Sequence, residues 1–351
     1  MPSFGVEGVL IQAAKDRHPR VLVTGVGGGI GQSVLKALHG THAEVVAANA
    51  DARAAGLYAA AQSYLIPSAS SPSPETFIEA VLELCTTAQI DLIIPGIEPE
   101  LILLAEAREP FARRGTQVLV SEPHVIELCD DKLATADFLQ VHKLPAPETR
   151  ALPPDGAIDP SWFPVVVKPR WGGARSQGVH VLHDPADWNR VRSTVAPDNA
   201  VVQEYVDGGE YTCGSVTFDG KCYGVICMQR ELRAGDTYRA RVVIDEELEG
   251  FVQQFVEQLR PHGPCNVQLR VRNSTPYIFE VNPRCSGTTA ARVLAGFNEP
   301  LAAVEWLLEG REPRLQRVPK VIFRYWSELA LDPEEFERFE RTGHGNFDRQ
   351  L

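Results

Sequence analysis

Residues 165–179 read VVVKPRWGGARSQGV: an apolar run ending on Lys168 and Pro169, then a loop with glycines at 172, 173 and 178. Consecutive β-branched residues bounded by Pro and Gly spell a buried strand. A lysine at the end of such a strand is aimed from a fixed base. The glycine loop after it can fold over phosphates and donate backbone amides, with Lys168 and Arg170 or Arg175 supplying positive charge. A solvated surface loop has no need of so apolar a lead-in.

Downstream, VVQEYVDGGEYT (201–212) is an extended strand running into a polar bend. Extended backbone there can pair with the edge of a base, and the Glu210 carboxylate can accept from ribose hydroxyls. Two further strands, CNVQLRV (265–271) and PYIFEVN (276–282), carry Gln268, Glu280 and Asn282. Alternate strand positions share a face, so Glu280 and Asn282 converge and Gln268 joins them from the neighbouring strand. These are hard oxygen donors, suited to Mg²⁺ bridging phosphates and unsuited to zinc. Between these blocks, QRELRAGDTYRAR (229–241) gathers Arg230, Arg233, Arg239 and Arg241. Arginine clamps carboxylates in a bidentate fork. Arg230 and Arg241 are expected to face a substrate anion; for Arg233 and Arg239 a solvated charged strand is an equal alternative.

Upstream, RVLVTG (20–25), EVVAAN (44–49), IDLIIP (90–95) and TQVLVS (116–121) read as strands. Helical patterns lie at 30–38, 75–87 and 98–114. Strands alternating with helices imply a parallel sheet with right-handed crossovers. The residues before about 19 read as a frayed arm. The loop TGVGGGIG (24–31), with Asp51 twenty residues on, could cradle a pyrophosphate, which makes an NAD(P)-dependent short-chain dehydrogenase a rival. That class also needs a Tyr-x-x-x-Lys pair, and no tyrosine here has lysine four residues later. A tight strand-to-helix turn is the simpler reading of the loop. Glu98, in PGIEPEL at a strand's C-terminal end, is a candidate for an acceptor amine.

The parallel pattern stops near residue 130. A helix to about 142 and a Pro-rich connection, PAPETRALPPDGAIDP (145–160), lead into the antiparallel half, which has a hairpin at Asp219-Gly220 and a helix at 246–260. Domains are expected at 1–130, 131–205 and 206–351.

The chain has 351 residues, a net charge of -12 and seven cysteines without C-x-x-C spacing. The acidic balance argues against nucleic acid or an anionic membrane as partner, and no apolar run reaches membrane-spanning length. The cysteines read as reduced and buried, with a catalytic thiol at Cys285 the alternative. A cytoplasmic location is expected.

The succession DKLATADFL (131–139), VVVKPRWGGARSQGV, VVQEYVDGGEYT, CNVQLRV and FEVNPRCSGTT (279–289) resembles the ATP-grasp superfamily, in particular its carbamoyl-phosphate-synthase-like branch, over about residues 20–310. The resemblance implies an α/β protein, α+β in its C-terminal half: a Rossmann-like N-terminal domain, a small lid and an antiparallel C-terminal domain, with ATP between two sheets. It implies a single-module ATP-dependent carboxylate–amine ligase working through an acyl phosphate, with a non-catalytic ATP-binding module as alternative. Lys132 and Lys168 would contact phosphates under the flap of Gly172, Gly173 and Ser176. Gln203, Glu204, Tyr205 and Val206 would line the adenine and Glu210 the ribose. Glu280, Asn282 and Gln268 would hold Mg²⁺, with Mn²⁺ as an alternative ion, and Arg284 would stabilise the transferring phosphoryl group. Carbamoyl phosphate synthase has an arginine where this chain has Gly287, which leaves room for a small organic or amino-acid carboxylate. An amine is the second substrate, and a homodimer is allowed.

Overall fold

A computed structural model describes residues 17–173, 176–325 and 327–347. The chain divides into two units. The first comprises the described residues up to Val120, Asn298–Arg314 and those from Ser327 on; the second comprises Ser121–Phe297 and the described residues from Leu315 on.

In the first unit, β1 (Arg20–Val23), β2 (Glu44–Asn49), β3 (Gln62–Leu65), β4 (Leu92–Ile94) and β5 (Gln117–Val118) form a parallel sheet in the order β3-β2-β1-β4-β5. Val21, Leu22 and Val23 are fully buried at its centre, as a continuous apolar run in a parallel sheet should be. Two strands are additional to those read from the sequence. One is β3, whose residues QSYL alternate too weakly to announce a strand. The other is the edge strand His344–Asn346, antiparallel to β3 and held by the mutual packing of Tyr58, Phe339 and Phe347. The helix expected over 98–114 is two, Glu98–Glu106 and Arg108–Ala112. Pro110 lacks an amide and its ring crowds the carbonyl four residues back, which breaks the ladder there.

The loops after β1 and β4 meet closely. A Cβ on Gly96 would come within 2.2 Å of the Thr24 carbonyl oxygen, and one on Gly31 within 2.6 Å of the Gly25 oxygen. Glu100 fastens them: its carboxyl, 2% exposed, accepts from Thr24 Oγ1 at 2.5 Å. Burial raises this carboxyl to about 7, against the hydrogen bonds from Thr24 and the Gly96 and Ile97 amides. The folded protein therefore holds a proton that the unfolded chain releases from about pH 4.5 upward, and stability should fall as pH rises from there through 7. The expected loss is on the order of 3 kcal/mol. Urea unfolding at pH 5 and pH 8 should show a smaller difference in Glu100→Gln than in the wild type; an equal difference would count against this role.

The second unit holds two antiparallel sheets. β6 (Thr149–Ala151), β7 (Val165–Pro169), β8 (His180–Leu182) and β9 (Ala200–Glu204) lie in the order β6-β9-β7-β8. β10 (Gly209–Phe218), β11 (Lys221–Arg233), β12 (Asp236–Val243), β13 (Gly263–Arg272), β14 (Thr275–Asn282) and β15 (Val321–Phe323) lie in the order β14-β13-β10-β11-β12-β15. Asp219 and Gly220, at φ 52° and 79°, close the β10–β11 hairpin between paired Phe218 and Lys221, as the Asp-Gly signal indicates. One face of the larger sheet packs on helix Glu246–Leu259, burying Val252, Phe255 and Val256 with Cys213, Cys227 and Val267. All seven cysteines are free thiols.

The division falls at Val120, ten residues before the expected boundary, because helix Pro123–Asp130 sends Val125 and Cys129 into the second unit's core. Helix Glu299–Glu309 returns to the first unit, where Asn298 Nδ2 donates to the Ala37 carbonyl at 2.7 Å and His42 pairs with Glu309.

Candidate nucleotide and metal site

The site face is the surface of the larger sheet opposite its helix-packed side. Cross-strand register fixes its membership: Gln268 lies opposite Glu280 and Thr212, Asn266 opposite Asn282, and Glu210 opposite Arg270. The register slips between Gln268 and Leu269, leaving Phe279 as an extra residue on β14. Such a bulge re-aims the backbone. Here it turns the Phe279 carbonyl to accept from Lys168 Nζ at 3.0 Å, while Gln203 Oε1 accepts from the same ammonium at 2.8 Å. Lys168, at the end of β7, thus joins the smaller sheet to the larger. Its side chain is nearly sealed, and burial lowers its ammonium to about 8, with Glu280 opposing that fall and Lys132 adding to it.

From Glu280 a continuous polar network crosses the sheet. Gln268 Nε2 and Asn282 Nδ2 both donate to Glu280 Oε1 at 3.1 Å, and Arg284 Nη2 donates to Asn282 Oδ1 at 3.0 Å. In the other direction Gln268 Oε1 accepts from Arg230 Nη2 at 2.7 Å. Both oxygens of Glu210 are engaged: Oε1 accepts from Arg230 Nε and Nη2 at 3.0 and 2.8 Å, Oε2 from Arg270 Nη2 at 2.7 Å. A ribose would have to share Glu210 with two arginines.

Glu280 Oε2 accepts no hydrogen bond among the described residues, while Gln268 and Asn282 turn their amide nitrogens to Glu280 Oε1 and their oxygens to Arg230 and Arg284. No cluster of three His, Cys, Asp or Glu side chains occurs among those residues. In donor chemistry, one carboxylate flanked by two amides that present oxygen to it on turning over fits a magnesium ion that draws its remaining ligands from phosphates and water, and fits zinc poorly.

At the flap, Lys132 Nζ donates to the Gly172 carbonyl at 2.8 Å and the Arg170 carbonyl at 3.4 Å. Asp131 caps its own helix and pairs with Arg170 at 2.6 Å. Although burial raises the Asp131 carboxyl, the Arg170 and backbone bonds outweigh it and hold it low. Gly172, Gly173, Ser176 and Gly178 all have positive φ and remain open to solvent in whole or in part. Arg175 lies outside the described residues.

The hinge Glu204–Val206 leaves β9. Glu204 accepts from Arg272 Nη1 at 2.8 Å, and Arg270 Nη1 reaches Tyr205 Oη and the Val206 carbonyl, both at 3.3 Å. Sequence reading missed Arg270 and Arg272, although period-two spacing from Gln268 puts them on its face. It also missed Arg292, fully buried, which donates to Thr212 Oγ1 at 3.2 Å and to Asn266 Oδ1. Arg241, expected to face the substrate with Arg230, does not: it pairs with Gln229 while Arg230 pairs with Ala240, so it stands exposed on the opposite face. Cys285 is buried, and Glu98 is the exposed first residue of its helix in the first unit.

Two antiparallel sheets joined through a buried lysine, with a glycine flap and a set of oxygen donors, are the arrangement that the resemblance to an ATP-grasp domain implies. Two family models bear this out and refine it: residues 196–327 match "ATP-grasp in the biosynthetic pathway with Ter operon", and residues 21–119 match the PylC-like N-terminal domain. The chain carries an ATP-grasp domain and a PylC-like N-terminal domain. It is 25% identical over 198 residues to the carbamoyl phosphate synthase large chain of Thermoanaerobacter sp. (strain X514), a match taking in 51% of this chain and 18% of that protein. The fold is shared with the L-amino acid ligase from Bacillus licheniformis (TM-score 0.65, 18% identity, 84% of this chain and 75% of that one). It is shared also with the ADP complex of purK, N5-carboxyaminoimidazole ribonucleotide synthetase (TM-score 0.70, 15% identity, 93% and 85%). No helix among the described residues is long and apolar enough to cross a membrane.

Proposed function

We propose that the protein is an ATP-dependent carboxylate–amine ligase. The observation carrying this reading is the meeting of Lys168, from the smaller sheet, with Glu280, Asn282 and Arg284 of the larger, Lys168 bonded to the carbonyl before Glu280 and Arg284 to Asn282. Relatives that are by name a carbamoyl phosphate synthase and an L-amino acid ligase support it.

A substrate carboxylate oxygen attacks the γ-phosphorus of ATP and the bond to the ADP oxygen breaks, giving an acyl phosphate. An amine then attacks the acyl carbon, phosphate leaves, the nitrogen loses its proton, and an amide results. Lys168 and Arg284 offset charge on the moving phosphoryl group, and Lys132 holds the flap carbonyls in place. Arg230 offers a guanidinium to the substrate carboxylate. Glu280, Asn282 and Gln268 would hold Mg²⁺, or Mn²⁺ in its place, which when bound neutralises phosphate charge.

ATP or ADP with Mg²⁺ should raise the melting temperature by mass action, near 2.7 kcal/mol at roughly a hundred times Kd, whereas NAD and NADP should not. A shift from NADP with none from ATP or ADP would overturn the nucleotide assignment. Screening small acids and amines for ADP release then identifies the substrates.

A further inference from the structure

Arg270 touches both ends of the nucleoside cradle with one guanidinium. Nη1 donates to Tyr205 Oη and the Val206 carbonyl, Nη2 to Glu210 Oε2, and the group lies 5.3 Å from the Tyr205 ring centroid. Two residues along β13, Arg272 binds Glu204 and stacks 4.7 Å from the Tyr277 ring centroid. The β14 bulge brings Tyr277 opposite Arg270. The hinge is a short irregular segment between β9 and β10, where a peptide plane held only by its neighbours is free to turn. Arg270 comes from within β13, its backbone fixed by pairing with Glu210 on one side and Tyr277 on the other, and Arg272 ends the strand paired with Thr275. They impose that rigidity on the hinge.

Resting on the nucleotide reading above, we infer that Arg270 is a positioning residue, aided by Arg272. It fixes the hinge peptide plane relative to Glu210 and so makes the site selective for the base. Adenine offers an amino donor where guanine offers a carbonyl acceptor. A backbone edge distinguishes them only if its carbonyls and amides cannot exchange places. A carbonyl with one lone pair taken by Arg270 keeps the other in a set direction.

Arg270→Lys tests this, because a single ammonium cannot reproduce a planar fork spanning Val206 and Glu210. By calorimetry with MgADP and MgGDP, Kd for MgADP is expected to rise at least tenfold and the preference for ADP over GDP to narrow. The unliganded melting temperature should stay within a few degrees. An unchanged Kd, or an equal loss for both nucleotides, overturns the inference, as does a wild type that binds ADP and GDP alike. If Arg270→Lys melts below the assay temperature, Arg272→Lys is judged by the same criterion. A wild type that binds no MgADP at all strikes instead at the nucleotide reading itself.

Discussion

Lys168→Met is expected to lower kcat/KM for ATP at least roughly a hundredfold, or about 2.7 kcal/mol. Methionine keeps the length and apolar stem but deletes the charge. An exposed ion pair is worth ~0 to 1 kcal/mol, so a loss of that size belongs to a group acting on the reacting phosphates. The structure supplies the means: the side chain is almost fully buried, and its ammonium is drawn from both sheets by Gln203 and the bulged Phe279 carbonyl. Folding should suffer little because two effects oppose. The variant leaves those oxygens without their donor, costing ~1 to 3 kcal/mol, and relieves the burial of a charge. Titrating ATP against ADP release with an acid and amine found by screening decides it. Unchanged ATP dependence would remove Lys168 from the site.

Glu280→Ala should do more, at least roughly a thousandfold on turnover, or about 4 kcal/mol, because it removes the single carboxylate of the donor set. Gln268 and Asn282 would lose the oxygen to which both donate, so the remaining amides would be misdirected as well as alone. The Mg²⁺ dependence of ADP affinity gives a second readout independent of the substrates: it should flatten in the variant while the unliganded melting temperature largely holds. Near-normal turnover would retire the metal assignment.

Parity explains which site residues the sequence disclosed. Gln268, Glu280 and Asn282 lie on strands whose alternation is plain, and register brings them together. Arg230 and Arg241 lie on paired strands too, but only the hairpin register shows that an even residue on one faces an even residue on the other. Charged residues near a hairpin do not announce that. Arg270 and Arg272 resemble the solvated face of an ordinary strand until Glu210, Glu204 and the hinge are folded against them. The fold divided similarly. β1, β2 and β4 are apolar runs and stood out, whereas β3 and the His344–Asn346 edge are polar and owe their strand conformation to a neighbour's backbone.

That edge strand also sets an order of events during synthesis. Its partner β3 is translated about 280 residues earlier, which at roughly 5 to 20 residues per second is a delay of about 15 to 60 seconds. Throughout that interval the nascent first sheet presents an open edge to whatever else is being made nearby, and Tyr58 lacks both Phe339 and Phe347. A premature stop codon at or just before His344 would leave every ATP-site residue intact yet produce a polypeptide that never closes this edge.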